Sequence, residues 1–383
     1  MNARNESGLV RWVLACAGLA LAGCASLPAT PAARALAPDF VSIPPAAGLP
    51  LRDAGVTALD DEMRAFLTAH VSASENLTKL HQLVRAVVKS DEFRIVYDDD
   101  TRSAGETFRA RRGNCLSFTS LFVALARESG LEASYQEVDV PPTWSLHDDS
   151  VVVSRHVNAL IHARPGSEHV VDFDMADFRA AYPRRAISDA RAAAHFYSNL
   201  GVERMEAGAA DEAYAHFMRA LAMDRTLAQI WVNLGVWHRR AGEPALAEAS
   251  YLEALRLEPR EYVAISNLAQ LHEREGRREL AHWYERRAAQ YRLRNPYFRY
   301  EQAKRAYFIG DFADAVRQLR EALRRADNDP AFFSLLGMTY RQLGNHEAAH
   351  AAFSRAMELA EDEAQRGALQ RKLELLGALG PRP

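Results

Sequence analysis

The sequence predicts an α+β domain followed by an all-α solenoid, and two observations carry that prediction. Between residues 58 and 190, helical periodicity gives way to strand-like alternation, and from about 194 onward columns of small residues recur every 34 positions. At 383 residues the chain is long enough for more than one domain, each with its own core. The formal net charge of −3 implies no strongly basic face, which argues against nucleic acid as a partner.

The amino-terminal segment has the character of an export signal. Arg4 and Arg11 give it a weakly positive start, and WVLACAGLALAG (12–23) is a short apolar run. That run falls short of the roughly 20 apolar residues needed to span a bilayer core of about 30 Å. LAGC at 21–24 resembles the lipobox of bacterial lipoproteins. The resemblance implies cleavage of residues 1–23 and lipidation of Cys24, with each buried methylene contributing ~0.8 kcal/mol to anchoring. Ala25 and Ser26 follow, without the Asp that retains enterobacterial lipoproteins at the inner membrane. The expectation is therefore a cell-envelope protein facing the periplasm from the outer membrane, its membrane contact made through Cys24. Residues 24–57 are rich in Pro and Ala (Pro28, Pro31, Pro38, Pro44, Pro45, Pro50) and form an extended tether. Cys16 leaves with the signal and Cys24 carries lipid, so Cys115 stands alone in an oxidising compartment, either inertly buried or chemically employed.

The domain at 58–190 begins with two helices, marked by Met63, Phe66 and Leu67, then Leu77, Leu80, Leu83, Val84, Val87 and Val88 at spacings of three and four. FRIVY (93–97) is a short strand and TRSAGETFRARRG (101–113) a polar helix ending at Gly113. Asn114 then caps an amphipathic helix that starts at Cys115 and stops at Gly130. Three strands follow, at 132–138, 150–161 and 168–175.

The chemistry rests on Cys115 at a helix N-terminus, His156 in a strand and Asp172 in the next strand. A helix N-terminus favours the thiolate, an imidazole takes the thiol proton, and a carboxylate fixes the imidazole tautomer. Asp174 shares a strand face with Asp172 and is the alternative third member. With RRGNCLSFTSLFVALARESGLEASYQEV, RHVNALI and VVDFD, residues 60–185 resemble the transglutaminase-like branch of the papain-like cysteine enzymes. The resemblance implies Cys115 as nucleophile, His156 as general base and acid, and Asp172 as orienting carboxylate. No upstream Gln of the papain type is evident, so the oxyanion hole is assigned to the Cys115 N–H and a donor from Tyr135 or Gln136. Trp144 is a candidate wall of the acyl site. The acidic runs 98–100 and 147–149 lack a twelve-residue calcium loop, and no zinc spacing occurs, so neither a metal nor another cofactor is expected.

In the carboxy-terminal half, Gly208, Gly242, Gly276, Gly310 and Gly344 are 34 residues apart, as are the columns beginning at Ala213 and Ala220. This spacing is that of the tetratricopeptide repeat, which the segments resemble, with five repeats over 194–363 and a capping helix and tail over 364–383. The third and fourth repeats depart at the Leu-Gly pair, reading Leu268-Ala269 and Gln302-Ala303. Asn199, Asn233 and Asn267 form a column of amides suited to holding an extended peptide backbone on the concave face. The sequence thus points to an anchored thiol peptidase or amidase whose solenoid recruits a protein or peptide. The alternatives are amide cross-linking of the transglutaminase type and a non-catalytic scaffold for an envelope assembly.

Overall fold

A computed structural model describes residues 55–90, 92–138, 145–147, 150–152, 156–173, 183–360 and 363–377. The expected signal segment, Cys24, the tether up to residue 54, Trp144 and Asp174 lie outside the described residues.

Helices α1 (Asp61–His70) and α2 (Asn76–Val87) open the first domain, capped by the side chains of Asp60 and Glu75. Each cap takes up an amide that has no partner within its helix. The predicted strand at 93–97 shortens to β1 (Val96–Tyr97), which runs parallel to β2 (Arg112–Gly113). Between them α3 (Ala104–Ala110) starts with a capping box of Ser103 and Glu106. It ends at Arg111, which takes the left-handed conformation at φ 53°, and not at Gly113. The Arg111 guanidinium sits 3.3 Å from the Phe93 ring centroid, a cation–π contact that holds a conformation usually left to glycine. Gly113 serves close approach instead, since a Cβ there would stand 2.7 Å from Ser117 Cβ.

The helix α4 (Cys115–Glu128) is not amphipathic as expected, because every residue from Leu116 to Ala126 is buried. It is enclosed by α1, α2 and α3 on one side and by the sheet on the other. An all-round apolar helix is the central element of a core, and Leu121, Phe122 and Leu125 each contribute roughly 1.5–3 kcal/mol by leaving water. The chain leaves α4 through Gly130, at φ 80°, as predicted.

The sheet is antiparallel in the order β7–β6–β3–β8, formed by β3 (Glu132–Val138), β6 (His156–Arg164), β7 (Ser167–Val171) and β8 (Arg184–Ile187). The single strand predicted over 150–161 is two. Its first part, β5 (Ser150–Val152), pairs instead with β4 (Ser145–His147) in a separate hairpin that lies against the solenoid.

Five antiparallel pairs follow: α5 (Asp189–Glu206) with α6 (Ala210–Met223), α7 (Ala228–Arg240) with α8 (Pro244–Leu257), α9 (Tyr262–Arg274) with α10 (Arg278–Arg294), α11 (Pro296–Phe308) with α12 (Phe312–Leu323), and α13 (Pro330–Gln342) with α14 (His346–Leu359). The helix α15 (Glu363–Gly377) packs on the last pair. All five column glycines have φ between 72° and 83°, the left-handed C′ geometry that ends a first helix. The alanines of both columns are sealed between helices. Gly201, Gly235 and Gly337 lie under the rings of Phe217, Tyr251 and Phe353, and a Cβ at any of them would enter the ring. Sixteen residues after Ala269 and Ala303 stand Glu285 and Leu319, with no ring to accommodate, so the two departures from Leu-Gly are matched within their own repeats.

The sheet is joined to the solenoid by ionic contacts. Glu137, 5% exposed, accepts from Arg185 Nε at 2.7 Å, Arg191 Nε at 2.6 Å and His195 Nε2 at 2.7 Å. Burial alone would raise its pKa, but hydrogen bonds from His195 and Arg191 outweigh this and hold the carboxyl well below the usual range. Nearby, Arg127 on α4 makes a two-pronged bond to Asp189 at the start of α5, at 2.7 and 2.8 Å.

Candidate active site

Cys115 is the first residue of α4. Asn114 takes the extended N-cap conformation, and its Oδ1 accepts the Ser117 N–H at 2.9 Å and the Ser117 hydroxyl at 2.9 Å. Cys115 is half-buried and is the free cysteine among the described residues. Its own N–H lies in the first helical turn, where amides have no intrahelical acceptor.

His156 and Asp172 are brought together by the β6–β7 hairpin. The turn at Pro165–Gly166, with Gly166 at φ 76°, sets the register that pairs Ala159 with Val171, so the next residue, Asp172, arrives beside Asn158 and His156. The His156 Nε2 to Asp172 Oδ2 distance is 2.6 Å, and the same oxygen accepts the Asn158 Nδ2–H at 2.9 Å. With Nε2 engaged, Nδ1 is the ring nitrogen left for the hydrogen bond to Cys115. Burial works against a charged imidazole here, yet hydrogen bonds and charge from Asp172 and Cys115 prevail and push His156 up to about 10. An imidazolium held beside a sulfur is the counter-ion that a thiolate nucleophile uses.

The three residues nominated from sequence therefore meet in space. Two other nominations change. Tyr135 is 1% exposed, and its hydroxyl donates to Ser120 Oγ at 3.2 Å inside the core, so it has no proton to offer an oxyanion. The correction follows from strand alternation, because Tyr135 faces α4 while its neighbour Gln136 shares the opposite face with Asn158 and His156. Gln136 is buried and its Oε1 is unpaired. In the solenoid, Asn233 Nδ2 donates to Ser198 Oγ at 2.9 Å, Asn199 is half-buried, and Asn267 is 2% exposed with its amide nitrogen unpaired. Asn267 is thus sealed and not displayed on an open face, on a helix against which β5 packs.

Two neighbours were missed in the sequence. Asn158 was legible as the residue two beyond His156 on the same strand face. Tyr97 is 52% exposed, with its ring 5.7 Å from Phe173, which in turn lies 5.3 Å from Phe118. Burial, then the charge of Cys115 and Asp99, push the Tyr97 phenol up to about 12, so it keeps its proton beside the sulfur.

Comparison with known proteins gives a family for both parts of the chain. Residues 64–223 match the transglutaminase-like superfamily, and residues 228–261 and 331–363 match the tetratricopeptide repeat. The chain carries a transglutaminase-like domain followed by tetratricopeptide repeats. The superfamily match runs beyond the sheet and includes α5 and α6. A search of the curated proteins finds no match. Among solved structures, the Cut9–Hcn1 hetero-tetramer of APC/C is similar at 21% identity, with 50% of this chain and 37% of that chain covered and a TM-score of 0.26. YrrB, described as a TPR protein with an unusual peptide-binding site, is similar at 18% identity, covering 46% and 92%, with a TM-score of 0.25. The pilF protein of Pseudomonas aeruginosa is similar at 20% identity, covering 50% and 87%, with a TM-score of 0.27.

Proposed function

We propose that the protein is a cysteine acyl-transfer enzyme acting as a peptidase or amidase on protein or peptide amides. The observation that carries this reading is the convergence of a half-buried cysteine, an imidazole hydrogen-bonded to it and a buried carboxylate 2.6 Å from that imidazole. Cys115 attacks the amide carbon as thiolate, and the carbonyl electrons move to oxygen. The Cys115 N–H and the positive end of α4 face the developing charge. His156 delivers its proton to the leaving nitrogen as the C–N bond breaks, leaving a thioester. Neutral His156 then takes a proton from water, which attacks the thioester, and the thiolate departs as acid product forms. Asp172 keeps the ring oriented through both halves, and Asn158 keeps Asp172 in place.

In this reading the tetratricopeptide array recruits a protein or peptide, in line with the interaction role of such repeats. The accessible part of the amide column is Asn199 with the carbonyl side of Asn233. Anchoring to the envelope through a lipid on Cys24 belongs to the same proposal. Palmitate labelling of cells, lost in Cys24→Ala, tests that part alone.

A thiol-directed probe should label the wild type and spare Cys115→Ala. Incubation with peptide pools should then release new amino termini. Incorporation of a labelled amine into glutamine peptides without cleavage would reassign the enzyme to cross-linking. Equal labelling of the two proteins would leave a scaffold.

A further inference from the structure

The solenoid's first helix reaches the nucleophile through a chain of hydrogen bonds. Glu203 on α5 accepts the Thr101 N–H at 2.8 Å across 102 residues of sequence. Thr101 Oγ1 accepts the Asn114 Nδ2–H at 2.7 Å. Asn114 Oδ1 accepts the Ser117 N–H at the first turn of α4, and Ser117 Oγ in turn accepts the Arg102 N–H at 2.8 Å. Thr101 and Ser117 are buried, at 6% and 0% exposure.

The directions of these bonds are not interchangeable. A carboxylate only accepts, so Glu203 holds the Thr101 N–H and with it the Thr101 backbone, while a lone pair of the Thr101 hydroxyl faces Asn114. That lone pair requires the amide nitrogen of Asn114 on its side, which leaves Oδ1 as the atom facing α4, where only an oxygen can cap the helix. Remove the acceptor at 203 and the Thr101 N–H loses its partner, which loosens the backbone that presents Oγ1 to Asn114 and with it the capped first turn. Cys115 stands between the cap and Ser117, so the cap's geometry is the sulfur's geometry.

We propose that Glu203 is a positioning residue for Cys115, acting through Thr101 and Asn114, so that a helix of the repeat array completes the thiol site. The proposal rests on the thiol-enzyme reading for its catalytic consequence, though not for the cap itself. Burial, and then Asp100, raise the Glu203 carboxyl, while Thr101 and Arg204 lower it; Asp100 is itself paired with Arg102 at 2.6 Å. The acceptor role does not need the charge, because a glutamine oxygen accepts the same bond.

The test uses the full chain and iodoacetamide as probe of Cys115, with Glu203→Ala, Glu203→Gln, Thr101→Val and Thr101→Ser. The expected result is a loss on the order of tenfold in alkylation rate for Glu203→Ala and Thr101→Val, as for small misplacements of a reacting group. Glu203→Gln and Thr101→Ser should recover most of the rate. Hydrogen exchange at the Ser117 amide should speed up in the first pair of variants and not in the second. A Glu203→Ala protein that alkylates like wild type, with Ser117 still protected, overturns the proposal and makes Glu203 simple glue between domains. A Gln variant as slow as Ala overturns it too, by assigning the effect to charge. If the wild-type thiol reacts no faster than an unstructured cysteine while Ser117 exchange still follows the acceptor, the cap stands and the enzyme reading has failed.

Discussion

The solenoid and the thiol site are built on opposite plans. Within each repeat, a left-handed glycine ends one helix and a sealed alanine column brings the next against it, and the contact is repeated 34 residues later. The thiol site instead draws Cys115 from a helix, His156 and Asn158 from one strand and Asp172 from the end of another, and further support comes from Thr101 and Glu203. A local plan distributes stability over many equivalent contacts. A convergent plan concentrates function in a few bonds, and substitutions should separate the two.

The largest effects belong to the convergent site. Replacing His156 by Ala should slow acyl transfer on the order of 10²–10⁴-fold while leaving the thermal midpoint of the solenoid in place. Parallel rate and melting measurements check this, and a loss of melting temperature as large as the loss of rate would erase the contrast. In the solenoid, Gly235→Ala drives a methyl into the Tyr251 ring and should cost about 1–3 kcal/mol. Adding Tyr251→Leu should restore much of that, because it reproduces the Ala303 and Leu319 pairing of the fourth repeat. Denaturant midpoints of the single and double variants measure the coupling, and simple additivity would contradict the packing explanation.

A local cap gives a smaller effect. Asn345 accepts the Ala348 N–H at 3.1 Å at the start of α14, and Asn345→Ala should lower stability by ~1 kcal/mol without touching thiol reactivity. A probe that needs no substitution is pH. His156 binds its proton more tightly folded, at about 10, than unfolded, at 6.5, so its contribution is complete below pH 6.5 and is lost as the pH rises through 10. Denaturant titrations across that window should show a decline that Asp172→Asn diminishes.

The same difference explains what was legible in the sequence. Five glycines in register announce themselves because each obeys the same backbone requirement, and the Ala269 and Ala303 departures were visible even before their partners at 285 and 319 explained them. Cys115, His156 and Asp172 could be named by residue type and by the elements carrying them. Other features depended on contacts remote in sequence. Arg111 ends α3 because Phe93 holds its guanidinium, while Gly113 nearby is the residue that local rules favour. Tyr135 looked available until strand alternation turned it into the core. The division of β5 and β6 between two sheets and the short β8 offered too few residues to show a period. Asn158 needed only the rule that alternate residues of a strand share a face.

The most direct measurement is acyl-enzyme formation with 4-nitrophenyl acetate, followed by intact-mass analysis. A burst of one nitrophenolate per chain, with a single acetyl group mapped to Cys115 and absent from Cys115→Ala, is the result this account predicts. No burst, or acetylation spread over lysines and unchanged by the Cys115 substitution, would contradict it.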